Sequence, residues 1–525
     1  MEKPAIQYIR PKFCLVYIMV FLPSTTPATS AVDAGLKRSR VDYSRHLSSE
    51  ARARLPNPIK SIWKAAQVKA GTINMGNGDP HHTLYPICEM NFVVPSIDGH
   101  DPVQSWRSGT GEQNIIASYK DDPCALSLRT AFAYGAGAGL KEVRDALANL
   151  NDRIHSPPNH TVSLSLGNAD ALTKCFRLLG DPGDSFLCEE FTFSAMTNAA
   201  LPLGIQWVPI RMDNNGLVPS DLERILSNWD EATQGKRPHV LYTIPCSQNP
   251  TGSTLSLERR QQIYRIAHDW DIIILEDDPY FFLQYDLDVN QSTIQQYGYT
   301  RAMAEVLPRS FLSMDYDGRV MRLDSFSKIV APGMRLGWVT SNSFFAEKLD
   351  MLTDSSSQHP HGMGQAFVAE LLGSDGWGVD GFMKWISSLC NEYQRRRDLF
   401  MDIFRQKVAV SGFATAEVPQ SGMFVWIKIN LEHHARFSTS QTPTVPGGPT
   451  TNTADLMDEL FRKLLNSGLV MMPASTFAVV DRAGTMGSHI NDRVNFFRAT
   501  FVGTDETIRD GLTIFGRTLE EFSCC

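Results

Sequence analysis

The segment LDSFSKIVAPGMRLGWV, residues 323–339, contains a single lysine in unusual surroundings. Lys328 stands among apolar residues, two serines alternate just before it, and Arg335 follows beyond a Pro-Gly turn. An isolated lysine is mostly exposed and serves solubility, so a chemical role for this one requires partners from other segments. With such partners, a lysine amine can act as a nucleophile or carry a proton.

Three further polar clusters each follow a short apolar run that is typical of a strand. The clusters are Gly167-Asn168-Ala169, Asn249-Pro250-Thr251-Gly252 and Asp277-Asp278-Pro279-Tyr280. In an open α/β sheet, ligands bind beyond the carboxyl ends of the strands. We therefore expect these clusters to meet the segment from Ser325 to Lys328 at one edge of a sheet. A lysine, an aspartate, an asparagine, a tyrosine, serines and an arginine would form a site there.

The elements that would position these clusters alternate between strands and helices. Residues 240–245 (VLYTIP) form an apolar run, a turn-like stretch follows, and residues 255–270 carry apolar side chains at helical spacing. Residues 271–280 begin with an apolar run that is typical of a strand buried on both faces. Similar runs occur in residues 161–180 and residues 319–328. The sequence predicts an α/β fold with a mostly parallel sheet between helices.

Composition excludes several classes of protein. The chain has 525 residues, 42% hydrophobic and 20% charged, which suits a large soluble protein of two or more domains. A formal net charge of -8 provides no positive surface for nucleic acid. The nine cysteines lack the spacing of a zinc site, and no ligands complete one around His81-His82 or His433-His434. We expect reduced thiols and no bound metal.

Three motifs together resemble a known family. The motifs are IPCSQNPTG (residues 244–252), LEDDPY (residues 275–280) and RLDSFSKIVAPGMRLGWV (residues 322–339). In this order and spacing they resemble the class I pyridoxal-phosphate aminotransferases of fold type I. The fungal aromatic amino acid aminotransferases and the kynurenine and 2-aminoadipate aminotransferases are the most similar groups. The resemblance spans about residues 71–519.

The resemblance implies two domains and a role for each residue around the pyridoxal ring. A large cofactor domain would span residues 111–380, and residues 46–110 with residues 381–525 would supply the smaller domain. Lys328 would form the Schiff base with the pyridoxal aldehyde and then move a proton between substrate Cα and cofactor. Asp277 would keep the pyridine nitrogen protonated, so that the ring acts as an electron sink.

Other positions follow from the same resemblance. Asn249 and Tyr280 would hydrogen-bond the phenolic oxygen of the ring, with Asp278 only a neighbour. Phe193 falls where many relatives place a tyrosine that stacks on the ring, so stacking would survive without the hydroxyl contact. Tyr134 matches a tyrosine that reaches the phosphate from the neighbouring subunit, which implies a homodimer.

The phosphate of the cofactor needs donors and positive charge. Arg335 offers a fork-shaped guanidinium, and Ser325 and Ser327 offer hydroxyl groups. The stretch Gly167-Asn168-Ala169 opens a helix, whose free N–H groups form an anion site, so that Asn168 and Ala169 belong to the expected cofactor site.

The substrate contacts implied by the resemblance lie at three positions. Arg498 matches the arginine that binds the α-carboxylate, a role that suits a bidentate guanidinium. Asn249 would contact both substrate and cofactor. Gly78 matches an N-terminal stretch that folds over the active site, where the absence of a side chain would permit close approach.

The function implied is a two-stage amino transfer by a homodimer. An aromatic amino acid is the expected donor, 2-aminoadipate or kynurenine are close alternatives, and a 2-oxo acid such as 2-oxoglutarate is the expected acceptor. Lyases and decarboxylases that use the same lysine and aspartate remain open, as do regulators with an aminotransferase-like domain, although no basic helix-turn-helix pattern precedes the domain here. We expect no nucleic-acid or membrane partner.

Two segments are expected to lie outside the compact fold. Basic residues precede the apolar run FCLVYIMVFL and small residues follow it, which is the layout of a secretory leader. The run is too short to span a bilayer, and the odd cysteine count and an intracellular cofactor favour a cytoplasmic protein. We assign residues 1–45 to a leader outside the fold, with targeting elsewhere as the alternative. Residues 438–453 are of low complexity and predict a disordered surface loop.

Overall fold

The computed structural model describes residues 41–67, 73, 75, 76, 78–440, 443 and 448–524, and the chain forms one compact unit from Tyr43 onward. The strands are β1 (Glu89–Pro95), β2 (Gln113–Tyr119), β3 (Thr161–Ser165), β4 (Ser185–Glu189), β5 (Gln206–Ile210), β6 (Met212–Asp213), β7 (Gly216–Leu217), β8 (Val240–Thr243), β9 (Ile273–Asp277), β10 (Val320–Ser325), β11 (Gly337–Ser341), β12 (Ala414–Ala416), β13 (Phe424–Ile429), β14 (Met472–Pro473) and β15 (Phe496–Thr500). The α-helices are α1 (Ser49–Ala53), α2 (Pro58–Gln67), α3 (Pro102–Ser108), α4 (Leu128–Ala131), α5 (Lys141–Ile154), α6 (Asn168–Leu179), α7 (Ser194–Ala200), α8 (Pro219–Ser227), α9 (Glu231–Gln234), α10 (Leu257–Asp269), α11 (Gln291–Val306), α12 (Ser343–Asp354), α13 (Gly362–Leu372), α14 (Gly378–Lys407), α15 (Thr453–Asn466) and α16 (Asp505–Ser523).

A seven-stranded sheet in the order β3-β11-β10-β9-β8-β4-β5 forms the centre of the fold. The pairs from β10 through β9, β8 and β4 to β5 are parallel, and β11 runs antiparallel to both of its neighbours. The mostly parallel α/β sheet expected from the sequence is therefore confirmed. Its strands β8 and β9 are buried along their whole length, as a sheet covered on both faces requires.

Alternate residues of the central strands enter two separate cores. Tyr242 of β8 and Leu275 of β9 belong to a cluster with residues of α6 and α12, whereas Leu241 and Ile274 belong to a cluster with residues of α8 and α10. This alternation follows from the period of two along a strand. It fixes which side chains lie on each face of the sheet, and so which polar groups reach its carboxyl edge.

A second sheet, in the order β12-β13-β15-β14, is antiparallel throughout. It forms a third hydrophobic cluster with α14, α15 and α16. Strand β15 carries Arg498, and β13 begins at Phe424. The domain boundaries expected from the sequence stay a prediction.

The structure differs from the sequence expectations at the two outlying segments. Residues 1–40 of the expected leader lie outside the described residues, but Tyr43 is buried and its hydroxyl donates to the Asp317 carbonyl at 2.5 Å. The fold therefore begins before residue 45. In the low-complexity insertion, Ser440 N–H donates to the Thr450 carbonyl at 2.7 Å, and Asp492 accepts from Thr450 N–H at 2.9 Å. Both ends of the insertion are thus held in place.

Within the described residues, no helix is long and apolar enough to cross a membrane. The same part of the chain contains no group of three histidine, cysteine or carboxylate side chains arranged to hold a metal ion. Its cysteines are all free thiols.

Candidate active site

Lys328 ends a short 3-10 turn, Phe326–Lys328, that follows β10 directly at the carboxyl edge of the central sheet. Its amine lies 5.9 Å from the centroid of the Tyr280 ring. Burial lowers the pKa of the amine, and the nearby charges of Arg498 and Arg335 lower it further. A depressed pKa leaves more of the amine in the neutral, reactive form, as a nucleophilic lysine requires.

Asp277 is the last residue of β9 and is buried. The Asn168 side-chain amide donates to its Oδ1 at 2.7 Å, and the Tyr242 hydroxyl donates to its Oδ2 at 3.0 Å. Burial raises the pKa of Asp277 to about 6, the two hydrogen bonds oppose that rise, and the charge of Asp278 adds to it. This carboxylate is well suited to pair with a cation that a ligand brings, because the donors that hold it among the described residues are neutral.

Asn249 and Arg498 connect the two sheets at the site. The guanidinium of Arg498 donates through Nη1 to Asn249 Oδ1 at 2.6 Å. Its central carbon lies 4.4 Å from the centroid of the Phe424 ring and 4.7 Å from that of Phe477. Burial lowers the pKa of Arg498, while the nearby Tyr280 opposes this change. With its two aromatic neighbours, Arg498 presents its remaining N–H groups as a fixed fork for an anion.

A second anion site forms where α6 begins. Gly167 precedes the helix with φ of +88°, and no side chain of the described residues caps this helix end. A Cβ at Gly167 would lie 2.5 Å from Arg335 Nη2, so only glycine permits the guanidinium to approach this closely. Arg335 also donates to Ser327 Oγ at 3.3 Å, and Ser325 Oγ donates to Ser327 Oγ at 2.8 Å. Helix N–H groups, a guanidinium and two hydroxyls suit a phosphate.

These two anion sites, the amine and the buried carboxylate fit a phosphorylated pyridine cofactor. The helix end at Gly167 together with Arg335 would hold a phosphate, Asp277 would pair with a protonated ring nitrogen, and Lys328 would react with an aldehyde. The second guanidinium, Arg498, is left for a substrate carboxylate. The structure thus brings together the residues expected from the sequence at one sheet edge, while their roles stay predictions.

Some of the expected site residues are exposed in the single chain. Tyr134 is 60% exposed, and Gly78 is exposed, with nothing within 4 Å of the position where its Cβ would be. Phe193 directly precedes α7 and packs against the core cluster that contains Tyr280. Ala169 lies in the first turn of α6. Asn168 is the first residue of α6, and its side chain makes a contact that was not expected, with Asp277.

Asp278 has a structural partner, in keeping with its expected place as a neighbour. Arg322 donates to Asp278 Oδ2 at 2.7 Å and to both oxygens of Asp324, at 2.9 and 2.8 Å. All three side chains are buried. This ionic cluster joins β9 to β10, the strands that end at Asp277 and Ser325, and so helps to fix the separation between the carboxylate and the lysine turn.

Three contributors to the site were missed by sequence reasoning: Tyr242, Phe424 and Phe477. Tyr242 sits within the apolar run of β8, and that run does not show which group its hydroxyl reaches. Phe424 and Phe477 come from distant segments that meet only in the fold. A tyrosine within an otherwise aliphatic central strand was the one available signal, because a buried hydroxyl needs a partner.

The fold and the site suit an enzyme that acts on an amino acid with the help of a phosphorylated cofactor. The family model for aminotransferase class I and II matches residues 98–515, and the chain belongs to this family. Membership confirms the aminotransferase interpretation and the fold expected from the motifs.

Particular relatives are similar over almost the whole chain. The L-tyrosine:2-oxoglutarate aminotransferase amt1 of Serpula lacrymans var. lacrymans (strain S7.9) is 71% identical, covering 92% of this chain and 97% of the relative. The L-tyrosine:2-oxoglutarate aminotransferase atrD of Tapinella panuoides is 68% identical, covering 92% and 96%. The crystal structure of aminotransferase Aro8 from Candida albicans matches with a TM-score of 0.79 at 29% identity, covering 93% of this chain and all of that one.

Proposed function

We propose that the protein is a pyridoxal-phosphate-dependent aminotransferase that transfers the amino group of L-tyrosine, or a related aromatic amino acid, to 2-oxoglutarate. The meeting of Lys328, Asp277 and Arg498 at one sheet edge is the observation that carries this proposal. The two relatives with 71% and 68% identity, both named for tyrosine and 2-oxoglutarate, support the choice of substrates.

Lys328 is the residue that holds the cofactor and moves the proton. The cofactor, when bound, supplies an electron sink for the negative charge left at the substrate Cα. The Lys328 amine would take the proton from the substrate Cα. Its lowered pKa favours this step, because a base works best when its pKa is near the working pH.

Asp277 holds a proton on the ring nitrogen, which requires that its own carboxylate stay ionised. Arg335, Ser325, Ser327 and the first N–H groups of α6, at Asn168 and Ala169, bind the phosphate. Asn249 and Tyr280 are assigned to the phenolic oxygen, and Phe193 to the face of the ring. The hydrogen bonds around Asp277 and around Arg335, and the hydrogen bond between Tyr280 and Asn249, support the assignments of these residues, whereas that of Phe193 follows from the family resemblance alone.

Arg498 binds the α-carboxylate of every donor and acceptor. The Asn249 amide oxygen and the rings of Phe424 and Phe477 hold the guanidinium in one plane. An orientation fixed before binding lowers the entropic cost of placing the substrate Cα near Lys328. The same arginine serves both half-reactions, because the amino acid leaves as an oxo acid before the acceptor enters.

The remaining parts of the proposal concern the assembly and the location of the protein. A homodimer would carry the exposed Tyr134 to the phosphate of the neighbouring subunit, and Gly78 would lie over the substrate. Residues 46–110 and 381–525 would form the smaller domain beside residues 111–380. A cytoplasmic location is proposed because the cysteines of the described residues are free thiols.

A donor screen with 2-oxoglutarate tests the proposal. With tyrosine, phenylalanine or tryptophan as donor, glutamate and the matching oxo acid should form in equal amounts. With 2-aminoadipate and kynurenine the reaction should be slower. Release of ammonia or carbon dioxide in place of glutamate would show a lyase or a decarboxylase instead. Light scattering of the holoenzyme should give twice the mass of one chain, and a monomer with full activity would contradict the assignment of Tyr134.

A further inference from the structure

Tyr242 occupies a fully buried position in β8, next to β9 in the central sheet. Its hydroxyl donates to Asp277 Oδ2 at 3.0 Å. Its ring is packed on two sides, with centroid distances of 6.1 Å to Phe176 and 5.9 Å to Trp207. The packed rings hold the side chain in the position from which its hydroxyl reaches the carboxylate.

Asp277 is held by these neutral donors in surroundings that disfavour its charge. Besides burial, the charge of Asp278 raises the pKa of Asp277. The charge of Asp277 in turn adds to the effect of burial in raising the pKa values of Glu189 in β4 and of the Cys175 thiol in α6. Within the described residues, no arginine, lysine or histidine forms an ion pair with Asp277. Its ionised form therefore depends on Tyr242 at Oδ2 and on Asn168 at Oδ1.

We propose that Tyr242 is a positioning residue that keeps the Asp277 carboxylate ionised and oriented toward the ring nitrogen of the cofactor, an inference that rests on the proposed function. A carboxylate offers about four lone-pair sites, and the two donors occupy one on each oxygen. About two sites therefore remain for a cation such as a protonated ring nitrogen. Loss of the Tyr242 hydroxyl frees the carboxyl group to rotate and favours its protonated form, which cannot hold the proton on the ring.

The test compares two cofactors and two matched variants. Tyr242→Phe removes only the hydroxyl and keeps the packed ring. Tyr264→Phe is the control, because Tyr264 is also buried and donates to the carboxylates of Asp315 and Asp317, at 2.8 and 2.5 Å, on the other face of the sheet. Each protein is stripped of cofactor and titrated with pyridoxal phosphate, and then with an analogue in which a C–H group replaces the ring nitrogen. Dissociation constants are read from the quenching of tryptophan fluorescence.

We expect Tyr242→Phe to weaken binding of pyridoxal phosphate by about tenfold, the size expected for one hydrogen bond to a charged group. The same variant should bind the analogue as the wild type does, because the analogue has no ring nitrogen for Asp277 to hold. Tyr264→Phe should match the wild type with both cofactors. Asn168→Ala removes the other donor and should likewise lose affinity for pyridoxal phosphate but not for the analogue. This variant replaces Tyr242→Phe in the test if Tyr242→Phe folds poorly.

The outcomes separate the inference from the function on which it rests. Equal affinity of the wild type for the two cofactors would refute the role of Asp277 in the proposed function, and the inference with it. A wild type that prefers pyridoxal phosphate, with a Tyr242→Phe variant that keeps the same preference, would overturn the inference alone. Equal losses for both cofactors would also overturn it, because they would show a general change in the pocket.

Discussion

Replacement of Asp277 by asparagine tests the electrostatics of the site without the cofactor. Asparagine has the same shape and can still accept from the Asn168 amide, and the Tyr242 hydroxyl can turn to accept from its N–H group. The substitution thus mimics the protonated aspartic acid and removes only the buried charge. We expect Asp277→Asn to stabilise the cofactor-free protein at neutral pH and to impair the loaded enzyme.

The magnitude follows from the pKa of Asp277. Burial raises the pKa of this carboxyl group from 3.8 to about 6, which corresponds to about 3 kcal/mol at neutral pH. Because the pKa of Asp277 is higher in the folded than in the unfolded protein, its contribution to stability is fully retained below pH 3.8. That contribution is lost as the pH rises from 3.8 to about 6. The variant carries no such charge, so its advantage should be small at pH 4 and about 3 kcal/mol at pH 7.5.

Urea unfolding of the two cofactor-free proteins at pH 4, 5, 6 and 7.5 measures this difference. The exposed Asp375→Asn variant is the matched control and should follow the wild type at every pH. In the cofactor-loaded enzyme, Asp277→Asn should be the poorer protein. Its turnover should fall much further than its affinity for the cofactor. A difference in the free energy of unfolding between Asp277→Asn and wild type that stays constant across the pH range would refute the claim that burial disfavours the charge of Asp277.

Three other changes probe the rest of the site. Arg498→Lys should lower kcat/KM for phenylalanine, tyrosine, tryptophan and 2-aminoadipate alike, by about 2 to 3 kcal/mol in transition-state free energy, and a loss confined to 2-aminoadipate would place the α-carboxylate elsewhere. Gly167→Ala should displace Arg335 and raise the dissociation constant of pyridoxal phosphate about tenfold, measured by fluorescence titration, whereas unchanged affinity would remove the phosphate from this cradle. A hybrid dimer of Lys328→Ala and Tyr134→Phe chains should regain one site of wild-type activity if Tyr134 acts on the neighbouring subunit, and should show only the Tyr134→Phe rate if it acts on its own.

Local sequence is enough to predict the central strands and the polar groups that follow them. The apolar run before Asp277 and the one before Asn249 form β9 and β8, and the stretch after Gly167 forms α6, because burial on both faces and the helix signals act over short distances. A parallel sheet then places the carboxyl ends of its strands at one edge. The sequence pattern alone therefore predicts that the polar residues after these strands lie near Lys328.

The details that sequence could not supply depend on contacts across the fold. Only the free N–H groups at the start of α6 were expected near the phosphate, and no partner was expected for the Asn168 side chain. Its amide donates to Asp277, a contact that depends on how α6 packs beside β9. The two aromatic rings beside Arg498 lie far from it in sequence: Phe424 is 74 residues before it and Phe477 is 21 residues before it. The approach of Phe424 depends on how β13 and β15 pair. Such distances are set by packing, and a one-dimensional pattern does not record them.

The most direct test of the central claim is to find which lysine holds the cofactor. Holoenzyme treated with borohydride, digested and mapped by mass spectrometry should carry the reduced pyridoxyl phosphate group on Lys328. Lys328→Ala should retain its fold, by circular dichroism, and should have no label and no transaminase activity. Pyridoxyl phosphate on any other lysine of the wild type, such as the buried Lys174, would contradict the account.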